Sequence, residues 1–159
     1  MNQKRNLIIT ICTGNICRSP MAERLLQQAL EAEGAPLNEF QVISAGVAAW
    51  AGDPASENSV KALSKIGIPL EHHKSQPITK SLLEQAFLVL GMTESHLHAL
   101  DKYKNVLPPK VHLFREFMES PETFEIPDPY GQNLAAYREC LDSMAEAIPS
   151  LLAYLKREC

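Results

Sequence analysis

A chain of 159 residues, 45% of them hydrophobic and 21% charged, has the make-up of an ordinary globular protein and the size of a single domain, 1–159, built on one large core. A formal net charge of -4 argues against general nucleic-acid binding, which needs clustered Lys and Arg, but leaves room for one local anion site. No apolar run reaches a membrane span, and the one after Lys4 and Arg5 is too short for a signal peptide, so the expected compartment is the cytoplasm, with neither membrane nor nucleic acid as partner.

In chain order, NLIITIC (6–12) is a short β-branched apolar run that predicts a buried strand. From Pro20 onward, Met21, Leu25, Leu26, Ala29 and Leu30 recur at helical spacing until Gly34 stops the helix. QVISAG (41–46) predicts a second strand, and SENSVKALSKIGI (56–68) a helix with a Ser or Asn cap that ends at Gly67. AFLVLGM (86–92) is almost continuously apolar and predicts a central strand. TESHLHAL (93–100) predicts a short helix, KVHLF (110–114) a fourth strand, and 134–158 a long closing helix kinked at Pro149. Strands alternating with helices predict an α/β fold of three layers, Rossmann-like, with a parallel sheet covered on both faces and ligands at the carboxyl ends of its strands. The loops 47–56 and 115–133 are the long ones, and long loops on compact domains often carry function.

The four cysteines, Cys12, Cys17, Cys140 and Cys159, suggest neither a disulfide framework nor zinc, because the chain is core-rich and no second closely spaced pair exists. No metal or other cofactor is expected. Cys12 is more informative for its setting, CTGNICRSP (12–20), at the carboxyl end of one predicted strand and the start of a helix. Ser19 can cap that helix and Pro20 suits its first turn. A helix start presents free N–H groups and partial positive charge to an anion. Gly14 lets the backbone turn tightly, and Asn15 can take the left-handed conformation that aims successive N–H groups inward. Helix start, Arg18 and the Ser19 hydroxyl all favour thiolate over thiol at Cys12. Arg18 adds a planar fork that fits two phosphate oxygens. A thiolate at the base of an oxyanion cradle points to nucleophilic attack on phosphorus through a cysteinyl-phosphate.

CTGNICRSP resembles the signature of the low-molecular-weight protein tyrosine phosphatases, and the likeness extends through SAGVAAW (44–50), LVLGMTESHL (88–97) and DPYG (128–131). The resemblance implies a four-stranded parallel sheet with the phosphate-binding loop after the first strand and no metal. It implies Cys12 as nucleophile, Arg18 as phosphate clamp, and Asp128 as general acid and later base. Thr13, Gly14, Asn15, Ile16, Cys17 and Ser19 would complete the phosphate and substrate pocket, with Trp50 and Tyr130 as aromatic walls. Ser44 and His72 match positions that support the loop by hydrogen bonds. In this family a neighbour such as Cys17 can form a reversible disulfide with the nucleophile and protect it from over-oxidation. His73, His96, His98, His112, Cys140 and Cys159 read as polar or filling residues of no special role. The expected partner is a phosphorylated protein, and the expected state is a monomer or weak dimer.

Within the family, a bacterial branch acts on phosphoarginine and shares CTGN and SAGV with this chain. That branch tends to carry Thr where Ile16 stands here, and an apolar β-branched side chain better suits an aryl ring, which favours phosphotyrosine. Arsenate reductases share the loop but need further cysteines to relay a disulfide outward, and Cys140 and Cys159 fall on the terminal helix. A phosphate-binding module or a cysteine phosphocarrier could use the loop, but neither needs Asp128.

Overall fold

In the computed structural model, which describes residues 5–159, alternation along the first strand decides which side chains reach which layer. Strand β1 (Leu7–Cys12) sends Ile8 and Cys12 into one core cluster and Ile9 and Ile11 into the other, and all four are buried. Helix α1 (Arg18–Glu33) follows directly and covers the Cys12 face. There follow β2 (Gln41–Gly46), α2 (Glu57–Ser64), α3 (Lys80–Gln85), β3 (Ala86–Gly91), α4 (Glu94–His98), β4 (Val111–Leu113) and α5 (Leu134–Glu158). All strand pairs are parallel, in the order β2-β1-β3-β4.

Met21, Leu26, Leu63, Met144 and Leu151 bring α1, α2 and α5 onto Ile8, Leu88 and Leu90. On the opposite face Ile78, Leu83 and Leu100 cover Ile9, Ile11, Ala45 and Val89. The result is three layers, and each fully buried Leu or Ile contributes about 1.5–3 kcal/mol toward holding them. No helix among the described residues is long and apolar enough to cross a membrane.

The chain turns to one side of β1 to make β2 and to the other to make β3 and β4. The carboxyl ends of β1 and β3 therefore flank the switch point where parallel sheets open a crevice. Gly46 ends β2 beside that crevice. A Cβ there would stand 2.5 Å from the Thr13 carbonyl oxygen and 2.6 Å from the Ala49 Cβ, so only glycine lets β2 approach so closely.

Several elements differ from the sequence reading. Helix α2 closes at Ser64, ahead of Gly67, with Ser56 as its cap accepting from the Ser59 N–H. Helix α3 was not anticipated, because KSLLEQ is too short for periodicity to register, though Thr79 caps it by accepting from the Leu82 N–H. Helix α5 covers 134–158 as the sequence reading has it and continues through Pro149, which lies on the exposed side. Helix α1 starts at Arg18, so Ser19 lies inside its first turn and does not cap it.

Candidate active site

Only Thr13 to Cys17 separate β1 from α1, and the turn depends on Asn15, whose φ is 57°. Gly14 does not take the left-handed conformation; the asparagine does. Its buried amide secures the loop from inside. Nδ2 donates to Ser19 Oγ at 2.8 Å and to Ser44 Oγ at 2.9 Å, and Oδ1 accepts from the Gln76 N–H at 2.9 Å. Ser44 Oγ in turn donates a hydrogen bond to the Glu23 carboxylate at 2.7 Å. Burial pushes the Glu23 carboxyl above its usual range, and the Ser44 bond works against that. From outside, the loop 47–56 braces the same turn: Val47, Ala48 and Ser56 donate their N–H groups to the Cys12, Thr13 and Ile16 carbonyls at 2.9, 2.9 and 2.8 Å.

Cys12 is 2% exposed, with Sγ 3.0 Å from Ser19 Oγ and accepting the Ser19 N–H at 3.4 Å. Ser19 Oγ accepts from Asn15, and its own proton is free to go to a thiolate at Cys12. Arg18 is 4% exposed and reaches three ways. Its Nη1 donates to the Ile126 carbonyl at 3.0 Å. Its Nη2 lies 3.8 Å from Asp128 Oδ2 and 3.3 Å from His96 Nε2. Its Nε is buried with no hydrogen-bond acceptor among the described residues.

Asp128 comes from the irregular segment between β4 and α5. Its Oδ1 accepts the Tyr130 N–H at 3.0 Å, while half of its side chain stays exposed. The segment is anchored by Ile126 N–H to the Met92 carbonyl at 2.9 Å. Buried Arg115 anchors it again, donating to the Thr123 and Ser143 carbonyls at 3.0 and 2.6 Å. A cleft results, lined by Cys12, Thr13, Gly14, Ile16, Cys17, Arg18, Asp128 and Tyr130. Cys17 is 5% exposed, its Sγ 3.3 Å from the Tyr137 hydroxyl; burial pushes the Cys17 thiol up and Tyr137 up to about 12.

The cleft thus gathers the expected nucleophile, clamp and acid, but some expected residues stand elsewhere. Trp50 is 82% exposed on the loop after β2 and does not line it. Asn15 and Ser19 are fully buried, spend their side chains on loop and sulfur, and do not line the cleft. His72 is exposed and lines a separate groove with Glu23 and Arg24. The loop-bracing histidine is His73, whose Nε2 donates to the Asn15 carbonyl at 2.7 Å. His96 is the other residue that sequence reasoning passed over. Its Nδ1 accepts the Thr93 N–H at 3.2 Å, and its Nε2 lies 3.2 Å from Thr13 Oγ1 and 3.3 Å from Arg18 Nη2. Burial and the Arg18 charge hold its pKa down to about 4, so the ring is neutral beside the guanidinium.

Residues 7–159 match the family model described as low molecular weight phosphotyrosine protein phosphatase. The protein-arginine-phosphatase of Bacillus subtilis is 36% identical over 151 residues, which cover 95% of this chain and 97% of that one. The low molecular weight protein-tyrosine-phosphatase Etp of Escherichia coli K12 is 31% identical, over 91% and 90%. Among solved structures, a mutant of the arginine phosphatase YwlE with a phosphorylated active-site serine superposes with a TM-score of 0.85 at 35% identity, over 94% and 95%. Vibrio vulnificus Wzb in complex with benzylphosphonate superposes with a TM-score of 0.78 at 32% identity, over 97% and 99%.

Proposed function

The chain belongs to the low molecular weight phosphotyrosine protein phosphatase family, and on that footing we propose that it hydrolyses phosphotyrosine in proteins through a cysteinyl-phosphate on Cys12. The observation that carries the reading is Arg18 Nε, a buried donor without an acceptor among the described residues, in a side chain that lines the Cys12 cleft. An unpaired buried donor costs about 1–3 kcal/mol, and a phosphoryl oxygen relieves that cost. Paired with Nη2, it offers the two-pronged geometry that phosphate takes from Arg, while Nη1 stays on the Ile126 carbonyl.

The chemistry follows from the positions. Phosphoryl oxygens lie over the N–H groups of the loop and the start of α1, and the Cys12 thiolate, supported by the Ser19 hydroxyl, attacks phosphorus as the P–O bond to the leaving group breaks. Asp128, the exposed carboxyl 3.8 Å from the clamp, passes its proton to the departing oxygen. In the second step the same carboxylate takes a proton from water, which attacks phosphorus and frees the thiolate. The phosphorylated active-site serine in the YwlE structure supports a phosphoryl group carried on the protein. All four cysteines are unpaired, which suits a reducing compartment such as the cytoplasm.

Phosphotyrosine is favoured because Ile16 and Tyr130 put apolar surface on the cleft wall. Phosphoarginine is the second reading, supported by the arginine phosphatases among the relatives and by the Thr13 hydroxyl on the same cleft. Measuring kcat/KM on a phosphotyrosine peptide and a phosphoarginine peptide decides between them. Under the first reading the tyrosine substrate wins and Ile16→Thr moves the ratio toward arginine by about tenfold, the usual worth of one such contact. A wild-type preference for phosphoarginine would reverse the assignment.

A further inference from the structure

Asp128 sits on a segment with neither helix nor strand, yet a general acid must hold its carboxyl within hydrogen-bond reach of one oxygen. Two successive carbonyls ahead of it are taken from opposite sides. Arg18 Nη1 donates to the Ile126 carbonyl at 3.0 Å, and Cys140 Sγ on α5 donates to the Pro127 carbonyl at 3.2 Å. No backbone amide among the described residues pairs with the Pro127 carbonyl. Cys140 is 5% exposed, and burial pushes its thiol up to about 11, so it remains an S–H donor at neutral pH. Asp128 and Cys140 both line a second groove, on the α5 side of the segment, so the thiol supports the acid from behind the cleft.

We propose that Cys140 is a positioning residue for Asp128: its thiol fixes the backbone one residue before the carboxyl and so aims the proton at the leaving oxygen. The inference rests on the reading above in which Asp128 is the general acid. It also corrects the sequence view of Cys140 as a remote residue of the terminal helix, because α5 brings that sulfur against the acid segment.

A residue that acts only through proton delivery matters in proportion to how much the leaving group needs a proton. The test is therefore kcat/KM for a graded series of aryl phosphates, from p-nitrophenyl phosphate, which leaves readily, to phenyl phosphate, which does not. For Cys140→Ala we expect a loss of about two- to tenfold on phenyl phosphate, the range for one modest hydrogen bond, and a smaller loss on p-nitrophenyl phosphate. Cys140→Ser, which keeps a donor, recovers most of the loss, and Cys140→Val, which fills the space without a donor, does not. Combined with Asp128→Ala, the Cys140→Ala change adds nothing further. Equal losses across the series, or losses that multiply with those of Asp128→Ala, would overturn the proposal and leave Cys140 as packing. Full aryl phosphate turnover by Asp128→Ala alone would instead remove the general-acid reading, and this inference with it.

Discussion

Protonation of His96 would set a second positive charge 3.3 Å from Arg18 Nη2 in a site that water barely reaches. Burial is the larger reason the ring resists its proton and the guanidinium the second, with Asp128 pulling weakly the other way. The fall from the ordinary 6.5 to about 4 corresponds to roughly 3 kcal/mol of folding stability. Because the folded value lies below the unfolded one, the unfolded chain takes up the proton first as pH drops. The stability is therefore intact above 6.5, is lost progressively down to about 4, and changes no further below that. Urea unfolding across this window should show the wild type losing roughly 3 kcal/mol more than His96→Gln, whose neutral amide occupies the same space. Carboxylates titrate in both proteins and cancel in the difference. Parallel pH dependences for the two would refute the reasoning, since the acid loss would then have no connection with the ring beside Arg18.

Replacement of Asn15 by Ala removes three side-chain hydrogen bonds and leaves an alanine at φ 57°. A cost of about 3–5 kcal/mol follows, read as a Tm lowered by about 10 °C together with collapse of phosphatase activity; a wild-type melting temperature would show that the loop is held by other means. Cys17 shares the cleft with Cys12, and for it to protect the nucleophile, the Cys17 thiol must displace water to form a disulfide after peroxide converts the Cys12 thiolate to a sulfenic acid. Activity lost to peroxide should return with a thiol reductant in the wild type but not in Cys17→Ala. Equal recovery in both would dismiss the protective role.

Where the chemistry is local in the chain, the sequence was readable. The run from Cys12 to Pro20 carries thiol, turn and guanidinium within one short stretch, and alternation in LIITIC already separates the two faces of β1. Asp128 is different: a carboxylate between prolines is an ordinary turn residue until the family pattern names it. His73, His96, Cys140 and Arg115 were beyond reach because tertiary packing alone brings them to the loop, the clamp and the acid segment. The parallel pairing of β1 with β3 at the switch point places His96 against Thr13, residues 83 positions apart with nothing in their local composition to link them. Ser19 shows the converse error. Its type suits a cap, but α1 starts at Arg18, two residues earlier than a Ser19 cap would set it, and the hydroxyl turns inward onto the sulfur.

Mass spectrometry of the acid-quenched protein, caught during turnover of an aryl phosphate and digested to peptides, tests the central claim most directly. In Asp128→Ala, where hydrolysis of the intermediate is slowed, one phosphoryl group should appear on the peptide that contains Cys12, on the sulfur, and be absent when Cys12 is Ala in a protein that no longer turns over. Turnover that persists without the Cys12 thiol, or a phosphoryl group trapped on any other side chain of the native sequence, would contradict the account.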